Sequence, residues 1–229
     1  MVQIIVKGEI RVITEERLEG LTLLQSSEEF RLTRDALALA RFATLHPGDR
    51  VCDLGCGVGN VLIPLGGRST GLTLDGVELR PQAAGLCREN LKRNGFRGTV
   101  VTGDLNLRYP ELPWGGYDLV VANPPYFPPD TGKISPRDAR AQARTEGSFS
   151  LASACRAAAR LCRYGGRFAL CLRPERLPEL FGALAAEGIA PKRLQLWQPT
   201  PDREANLALV EGRKGGRPGL RVLPVIVEK

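Results

Sequence analysis

The sequence predicts a three-layer α/β fold on a mostly parallel seven-stranded sheet, with an antiparallel hairpin at its C-terminal edge. Three observations carry this reading. From Arg50 onward, short apolar runs rich in β-formers recur with glycine-marked or helical stretches between them. The intervening stretches space their apolar residues as helices do. After Pro191 the alternation stops, and two strand-like runs follow one another with only a turn between.

Taken in order, residues 2 to 13, VQIIVKGEIRVI, alternate as a short hairpin or edge strand turning near Gly8. FRLTRDALALARFATL then spaces Leu37, Ala40 and Leu45, with Leu39, Phe42 and Ala43, at mixed three and four. Thr33 is the expected N-cap and HPGD the stop, which gives a helix from about Arg34 to Leu45. RVCDLG, LDGVEL, GTVVTGD, YDLVVANP and GRFALCLR read as buried parallel strands. Between them RPQAAGLCRENLKRNG puts Ala83, Leu86, Cys87, Asn90 and Leu91 on one side and stops at Gly95. SLASACRAAARLCRYGG is expected to stop at Gly165 and PERLPELFGALAAEG at Gly188. KRLQLWQP and EANLALVEG, separated by PTPDR, make the edge hairpin. Phe127 to Ser148 holds too much proline, glycine and charge for core and is expected to be a functional surface loop.

Composition excludes several classes. At 229 residues and 43% apolar, the chain can bury one full core. No window approaches the roughly 18 apolar residues of a membrane span, and the first twenty residues lack the order of a signal peptide, so a cytoplasmic protein is expected. The six cysteines lie mostly inside apolar segments without a CxxC pair, as buried reduced thiols would. His46 is the single histidine, which removes His-based metal clusters and Ser-His or Cys-His nucleophiles; no metal is expected. The net charge of +7 favours a polyanionic partner weakly, because arginine outnumbers lysine 26 to 6 as base-biased composition also produces.

The chemistry starts at VCDLGCGVGN. Gly55, Gly57 and Gly59 follow a strand and let backbone approach a ligand closely, but their G-x-G-x-G spacing departs from the dinucleotide G-x-G-x-x-G. Asp53, two positions ahead, would crowd a pyrophosphate and suits an amine-bearing ligand. Glu78 ends the second strand, where a carboxylate commonly takes both ribose hydroxyls, and Asp104 ends the third, near where a base would lie. Read singly, each acid serves as well as a helix cap; together they point to one nucleoside ligand at the carboxyl edge of the sheet.

This set, over roughly Val51 to Tyr126, resembles the class I S-adenosylmethionine-dependent methyltransferases, with their Rossmann-like α/β/α fold. The resemblance implies S-adenosylmethionine as cofactor. Gly55, Gly57 and nearby backbone would approach its methionine moiety, and Asp53 would hold the amino group directly or through water. Glu78 would bind the ribose, and Asp104 with the Leu105 amide would face the adenine. Cys56, Gly59, Asn60, Leu79, Thr33, Asp35 and Asn123 complete the expected cofactor set. The expected division is an N-terminal hairpin and capping helix over residues 1–45 and the cofactor-binding domain over 46–229, effectively one domain.

VANPPYFPP ends the fourth strand with Asn-Pro-Pro-Tyr, the motif of methyltransferases that act on planar nitrogens of adenine or glutamine. The Asn123 side-chain carbonyl and the Pro124 main-chain carbonyl can accept both hydrogens of an exocyclic amine and favour its pyramidal, nucleophilic form. Tyr126 would stack on the base; Phe127 is a second wall or a core plug. Asn123, Pro124 and Tyr126 form the expected catalytic set.

LLQSSEEFRLTRDALALARFA, ARAQARTEGS, RPERLPEL and PDREANLALVEGRKGGRPGLRVLPVIV carry a closer resemblance, from about Leu21 to Val227, to the bacterial valine-tRNA adenine-N6 methyltransferases. It implies methylation of the adenine beside the anticodon, with Gln25, Phe30, Thr33 and Asp35 folded over the pocket. Arg137, Arg140 and Arg144 share one helical face suited to phosphates, or to a solvated salt-bridged surface. Thr145 stands where that family often has a histidine. The expected partner is tRNA, with no membrane and with a monomer or homodimer both open. Glutamine methylation of peptide release factors and guanine-N2 methylation of ribosomal RNA remain as alternatives. The first normally needs a helical domain ahead of the core, where about 45 residues stand here.

Overall fold

The computed structural model describes residues 2–6, 9–18, 20–26, 31–124 and 149–227. The N-terminal strands β1 (Val2–Val6) and β2 (Glu9–Leu18) pair antiparallel, Val2 opposite Ile13 and Val6 opposite Glu9. A third strand, β3 (Leu21–Ser26), continues from β2 into a separate three-stranded sheet. The hairpin is thus longer than its alternating pattern predicts. Thr14 to Arg17 are exposed and interrupt the apolar pattern, while the consecutive Leu23 and Leu24 are both buried.

The free edge of β3 is satisfied by side chains. From the helix Pro81–Arg93, Asn90 accepts from the Leu24 amide (2.8 Å) and donates to the Leu24 carbonyl (3.0 Å). One turn on, Asn94 accepts from the Thr22 amide (2.9 Å) and donates to its carbonyl (2.7 Å). Residues four apart on a helix thereby meet residues two apart on a strand edge, and the two carboxamides replace a fourth strand. Asn90 also donates to the Val58 carbonyl (2.8 Å), inside the glycine loop.

Helix α1 (Arg34–Phe42) starts as expected, with the Thr33 hydroxyl accepting from the Ala36 amide (3.2 Å). It stops three residues before the expected Leu45. The Glu211 carboxylate accepts from the amide and hydroxyl of Thr44, both at 2.7 Å, and draws the chain off the helical path. Arg68 caps the carbonyls of Ala40 and Ala43, and Arg193 that of Phe42.

The main sheet follows, with its helices: β4 (Arg50–Leu54), α2 (Leu62–Gly66), β5 (Thr73–Glu78), α3 (Pro81–Arg93), β6 (Val100–Thr102), β7 (Tyr117–Ala122), α4 (Leu151–Leu161), β8 (Cys162–Leu172), α5 (Leu177–Ala186), β9 (Ile189–Gln198), β10 (Leu207–Lys214), β11 (Arg221–Val222) and β12 (Ile226–Val227). The strand order is β11-β9-β10-β8-β7-β4-β5-β6, with β12 also on β9. Among the described strands of this sheet, β10 alone runs against the rest. Successive residues alternate between the two faces: Val51, Leu119 and Val121 pack under α1 to α3, while Cys52, Val120 and Ala122 pack under α4 and α5. This is the three-layer, mostly parallel arrangement predicted.

The expected hairpin is present, but β10 inserts between β8 and β9, and β11 and β12 extend the sheet beyond β9. Burial explains the placement, since Leu207 to Gly212 are all buried whereas β9 is mostly half-buried. Helix α4 ends at Leu161, four residues before the expected Gly165. Cys162 already has extended backbone, and the pairing of β7 with β8 skips from Tyr117–Cys162 to Leu119–Arg167, so that residues 163–166 bulge from the ladder. All six cysteines are buried and unbridged. Among the described residues no helix is long and apolar enough to cross a membrane.

Asn90→Ala removes three hydrogen bonds and leaves the Leu24 and Val58 groups buried without partners. The expected loss is about 3 kcal/mol, read as a fall in Tm of roughly 6 to 12 °C by calorimetry.

Candidate active site

Strand register assembles the site. Leu54 pairs with Val77 and with Ala122, and Ala122 pairs with Leu170. The next residue on each strand is therefore Gly55, Glu78, Asn123 and Cys171, one row across the carboxyl edge of the sheet. The glycine loop turns out of this row. The amides of Gly55 and Cys56 both donate to the Val77 carbonyl (2.8 and 3.0 Å), and the Gly57 amide donates to Glu78 Oε2 (2.8 Å). Gly55 and Gly57 have φ of +73° and +56°. A Cβ on Gly55 would lie 2.7 Å from the Phe149 ring, whereas one on Gly57 would meet no atom within 4 Å. The loop is thus closed by an aromatic at Gly55 and open at Gly57.

Four carboxylate and carboxamide groups face this edge, each held differently. Glu78 is buried, and its Oε1 accepts from the amide and Nε of Arg80 (2.9 and 3.1 Å). With the Gly57 bond, three of its roughly four acceptor positions are occupied. A ligand that places two hydroxyls on Glu78 must displace one of these bonds. Asp104 folds an Asx turn through Oδ1, which accepts from the amide and Nδ2 of Asn106 (both 2.8 Å). Its main-chain carbonyl accepts from the Tyr109 hydroxyl (3.0 Å). Leu105 is half-buried, and Leu79 is 44% exposed beside Glu78.

Asp53 differs from these. Its side chain is 2% exposed, and Oδ1 has no hydrogen-bond partner among the described residues. Burial, and then the negative charge of Glu78, push its carboxyl up to about 8. A buried acceptor of this kind is matched by an ammonium group, which restores the charge it has lost. Cys56 offers no nucleophile, because contact with the Cys87 thiol and burial hold it well above the usual thiol range.

Asn123 is half-buried at the end of β7, and the Cys171 thiol donates to its Oδ1 (3.0 Å). An amide oxygen has two lone pairs, so this contact fixes the carboxamide while leaving one acceptor position. Pro124 is buried beside it. Tyr126, Phe127, Arg137, Arg140 and Arg144 lie outside the described residues, as does Phe30. Gln25 is buried on β3, where its Oε1 accepts from the Leu32 amide (2.8 Å). Thr33 and Asp35 begin α1, and Asn60 Nδ2 donates to the Arg31 carbonyl (3.3 Å), tying that start to the glycine loop. Gly59 closes the loop with its amide on the Cys56 carbonyl (2.8 Å).

Two residues of the site escaped sequence reading. Cys171 lies in GRFALCLR, where it reads as another core thiol, and only register sets it beside Asn123. Phe149 follows a long stretch of polar sequence; its one flag is the capping box that starts at Ser150.

A family model described as Methyltransferase small domain matches residues 35–135. The tRNA1(Val) (adenine(37)-N6)-methyltransferase of Parabacteroides distasonis is 30% identical over 178 residues, which cover 77% of this chain and 74% of that protein. Its namesake from Cronobacter sakazakii is 32% identical over 155 residues, 67% of this chain and 62% of that protein, so the match spans about three fifths of that relative's length. Among solved structures, the T. thermophilus 16S rRNA N2 G1207 methyltransferase in complex with AdoMet and guanosine superposes with a TM-score of 0.62 at 21% identity, covering 90% of this chain and 51% of that chain. That likeness bears out the expected fold, a class I methyltransferase fold.

The raised carboxyl of Asp53 has a consequence for stability. The folded state binds a proton there that the unfolded state, with an ordinary carboxyl, releases near pH 4. Stability from this group is therefore full below about pH 4 and is lost as pH rises to about 8. Asp53→Asn is expected to match the wild type near pH 4 and to exceed it by at least about 2 kcal/mol above pH 8, since each tenfold change in proton affinity is worth roughly 1.4 kcal/mol. Urea titrations across that pH range measure the difference.

Proposed function

Since the chain belongs to the family of the tRNA1(Val) (adenine(37)-N6)-methyltransferases, we propose that it methylates the exocyclic N6 of adenine in tRNA with S-adenosylmethionine as donor. The observation that carries this reading is the row formed by Gly55, Glu78 and Asn123, with the unpartnered Asp53 oxygen beneath it. The anticodon loop of a valine tRNA is the substrate to which the relatives' names point. On this reading the protein works in the cytoplasm.

The residues present fit the donor. Asp53 supplies a buried, unpartnered oxygen for the methionine ammonium, and the space beside Gly57 admits a ligand against the backbone. Glu78 would take the ribose, and Asp104, Leu105 and Leu79 the adenine. Cys56, Gly59 and Asn60 shape the loop, and Thr33 and Asp35 stand beside it. When bound, S-adenosylmethionine supplies an electrophilic methyl group on a sulfonium. Every other requirement falls on the protein.

An aromatic amine is a poor nucleophile because its lone pair is delocalised into the ring. The remaining acceptor position on Asn123 and the Pro124 carbonyl would hold the two amine hydrogens and favour the pyramidal nitrogen of the transition state. Cys171 keeps the Asn123 oxygen on that line. Methyl transfer leaves the nitrogen cationic and strongly acidic, so its extra proton is lost to water and no general base is required beforehand. Tyr126 and Phe127 are the proposed walls for a base turned out of its stack. Arg137, Arg140 and Arg144 are the proposed phosphate contacts beside it.

Digestion of tRNA incubated with the protein and labelled donor should yield N6-methyladenosine by mass analysis. Label on N2 of guanosine instead, or on no nucleoside, would overturn the assignment. Asn123→Ala should lower transfer about 100-fold or more, a far larger loss than any in donor affinity.

Donor binding should also report on Asp53, which must release its proton to meet an ammonium. Affinity for S-adenosylmethionine is expected to rise about tenfold per pH unit from roughly pH 6 to 7.5, below the titration of the donor's own amino group. Calorimetry should show a weaker and nearly flat response in Asp53→Asn; a flat wild-type response would remove Asp53 from the amino site.

A further inference from the structure

The opposite edge of the sheet carries a second site. At the amino end of β8, the start of β9 and the end of β10 lies a cleft of about 510 Å³. Six cationic side chains, Arg163, Arg167, Lys192, Arg193, Arg213 and Arg221, line it with His46, against one carboxylate, Glu211. Ion pairs account for three of the six. Arg163 meets Asp118 at 2.7 Å, Arg167 meets Asp49 at 2.6 Å and Arg193 meets Glu211 at 3.2 Å. The other three keep their charge. Lys192 donates to the Arg217 carbonyl (2.9 Å) and Arg213 to the Gly165 carbonyl (3.0 Å), neither of which neutralises a cation. Arg221 is exposed and makes no ion pair among the described residues.

We propose that this cleft binds the phosphate backbone of the RNA substrate, away from the nucleotide that is methylated. The inference rests on the reading that the substrate is RNA. Three unneutralised cations around one cleft call for a polyanion. The lining includes no Phe, Tyr or Trp among the described residues, and its cations are suited to phosphate oxygens. A site of this kind contacts phosphates and positions the RNA. The paired arginines act as a frame, since their carboxylate partners fix the planar groups that border the open charges. Along β8, Arg167 lies four residues before Cys171, about 13 Å at the usual rise per residue. A duplex arm, with one phosphate charge per roughly 1.7 Å of axis, spans that distance easily.

The test uses the full chain and a fluorescent anticodon-arm hairpin, with anisotropy measured between roughly 50 and 200 mM salt. The triple variant K192E/R213E/R221E should bind at least about tenfold more weakly and show a salt slope lower by about 2 to 3. Its KM for RNA should rise while kcat and donor affinity stay unchanged. The milder K192Q/R213Q/R221Q, with the wild-type Tm, should show an intermediate loss and so separate lost charge from lost fold. Unchanged affinity and slope in both variants would overturn the proposal. Inorganic pyrophosphate is the second probe: if it binds tightly and only its binding is lost in the variants, the cleft serves a small phosphate compound and the RNA assignment fails. If RNA affinity falls as expected but the wild type transfers no methyl to RNA, the proposed activity fails while the cleft stands.

Discussion

The parallel register of β4 with its neighbours is the constraint on which the molecule turns. β4 is flanked by β5 and β7 and takes its partners in step, Leu54 beside both Val77 and Ala122. Strands that start together and run the same way also end together, so the first residues past the ladder come from distant parts of the chain yet stand in line. Ligand chemistry at the carboxyl edge follows from that alignment. At the other end of the same strands, the buried Asp75 carboxylate sets the line. It accepts from Arg50 (3.0 and 2.8 Å), the Tyr117 hydroxyl (2.8 Å) and the Thr99 amide (2.8 Å), which come from β4, β7 and the approach to β6. A buried carboxylate satisfied in this way ties together the starts of three strands.

Much of this was legible in the sequence, for a physical reason. A strand buried on both faces must be apolar throughout, so RVCDLG and YDLVVANP stand out whatever surrounds them. Asp53, Gly55, Glu78 and Asn123 are visible because they break those runs at their ends. What could not be read depends on distant residues. The early stop of α1 is set by Glu211, far along the chain. β3 is disguised by the exposed polar stretch of β2 before it, and its edge is closed by asparagines on a helix. Cys171 looks like every other buried thiol until strand register sets it against Asn123. The placement of β10 inside the sheet is a competition in burial between two adjacent strands, which no local pattern reports.

The two edges of the sheet have opposite chemistry. The carboxyl edge presents acceptors, Asp53, Glu78, Asp104 and the Asn123 oxygen, suited to amines and hydroxyls. The amino edge presents guanidinium and ammonium groups, framed by their own carboxylates. A single antiparallel strand makes this division workable, because β10 returns its C-terminal end, with Arg213, to the amino edge beside the starts of β8 and β9. The modest net charge of the whole chain understates the local field at that edge, where six cations line one cleft with one carboxylate among them.

The carboxamide of Asn90 has a wider meaning for how the protein can be divided. It touches β3 on one side and Val58 of the glycine loop on the other, so the small N-terminal sheet and the ligand loop share one hydrogen-bonding group. The sheet is thus no detachable ornament. A chain trimmed ahead of α1 would expose not only an apolar face but also two carboxamides whose partners had been cut away, one of them bonded to the loop. The border between the N-terminal segment and the main sheet, drawn easily along the sequence, runs in space through the middle of a single side chain.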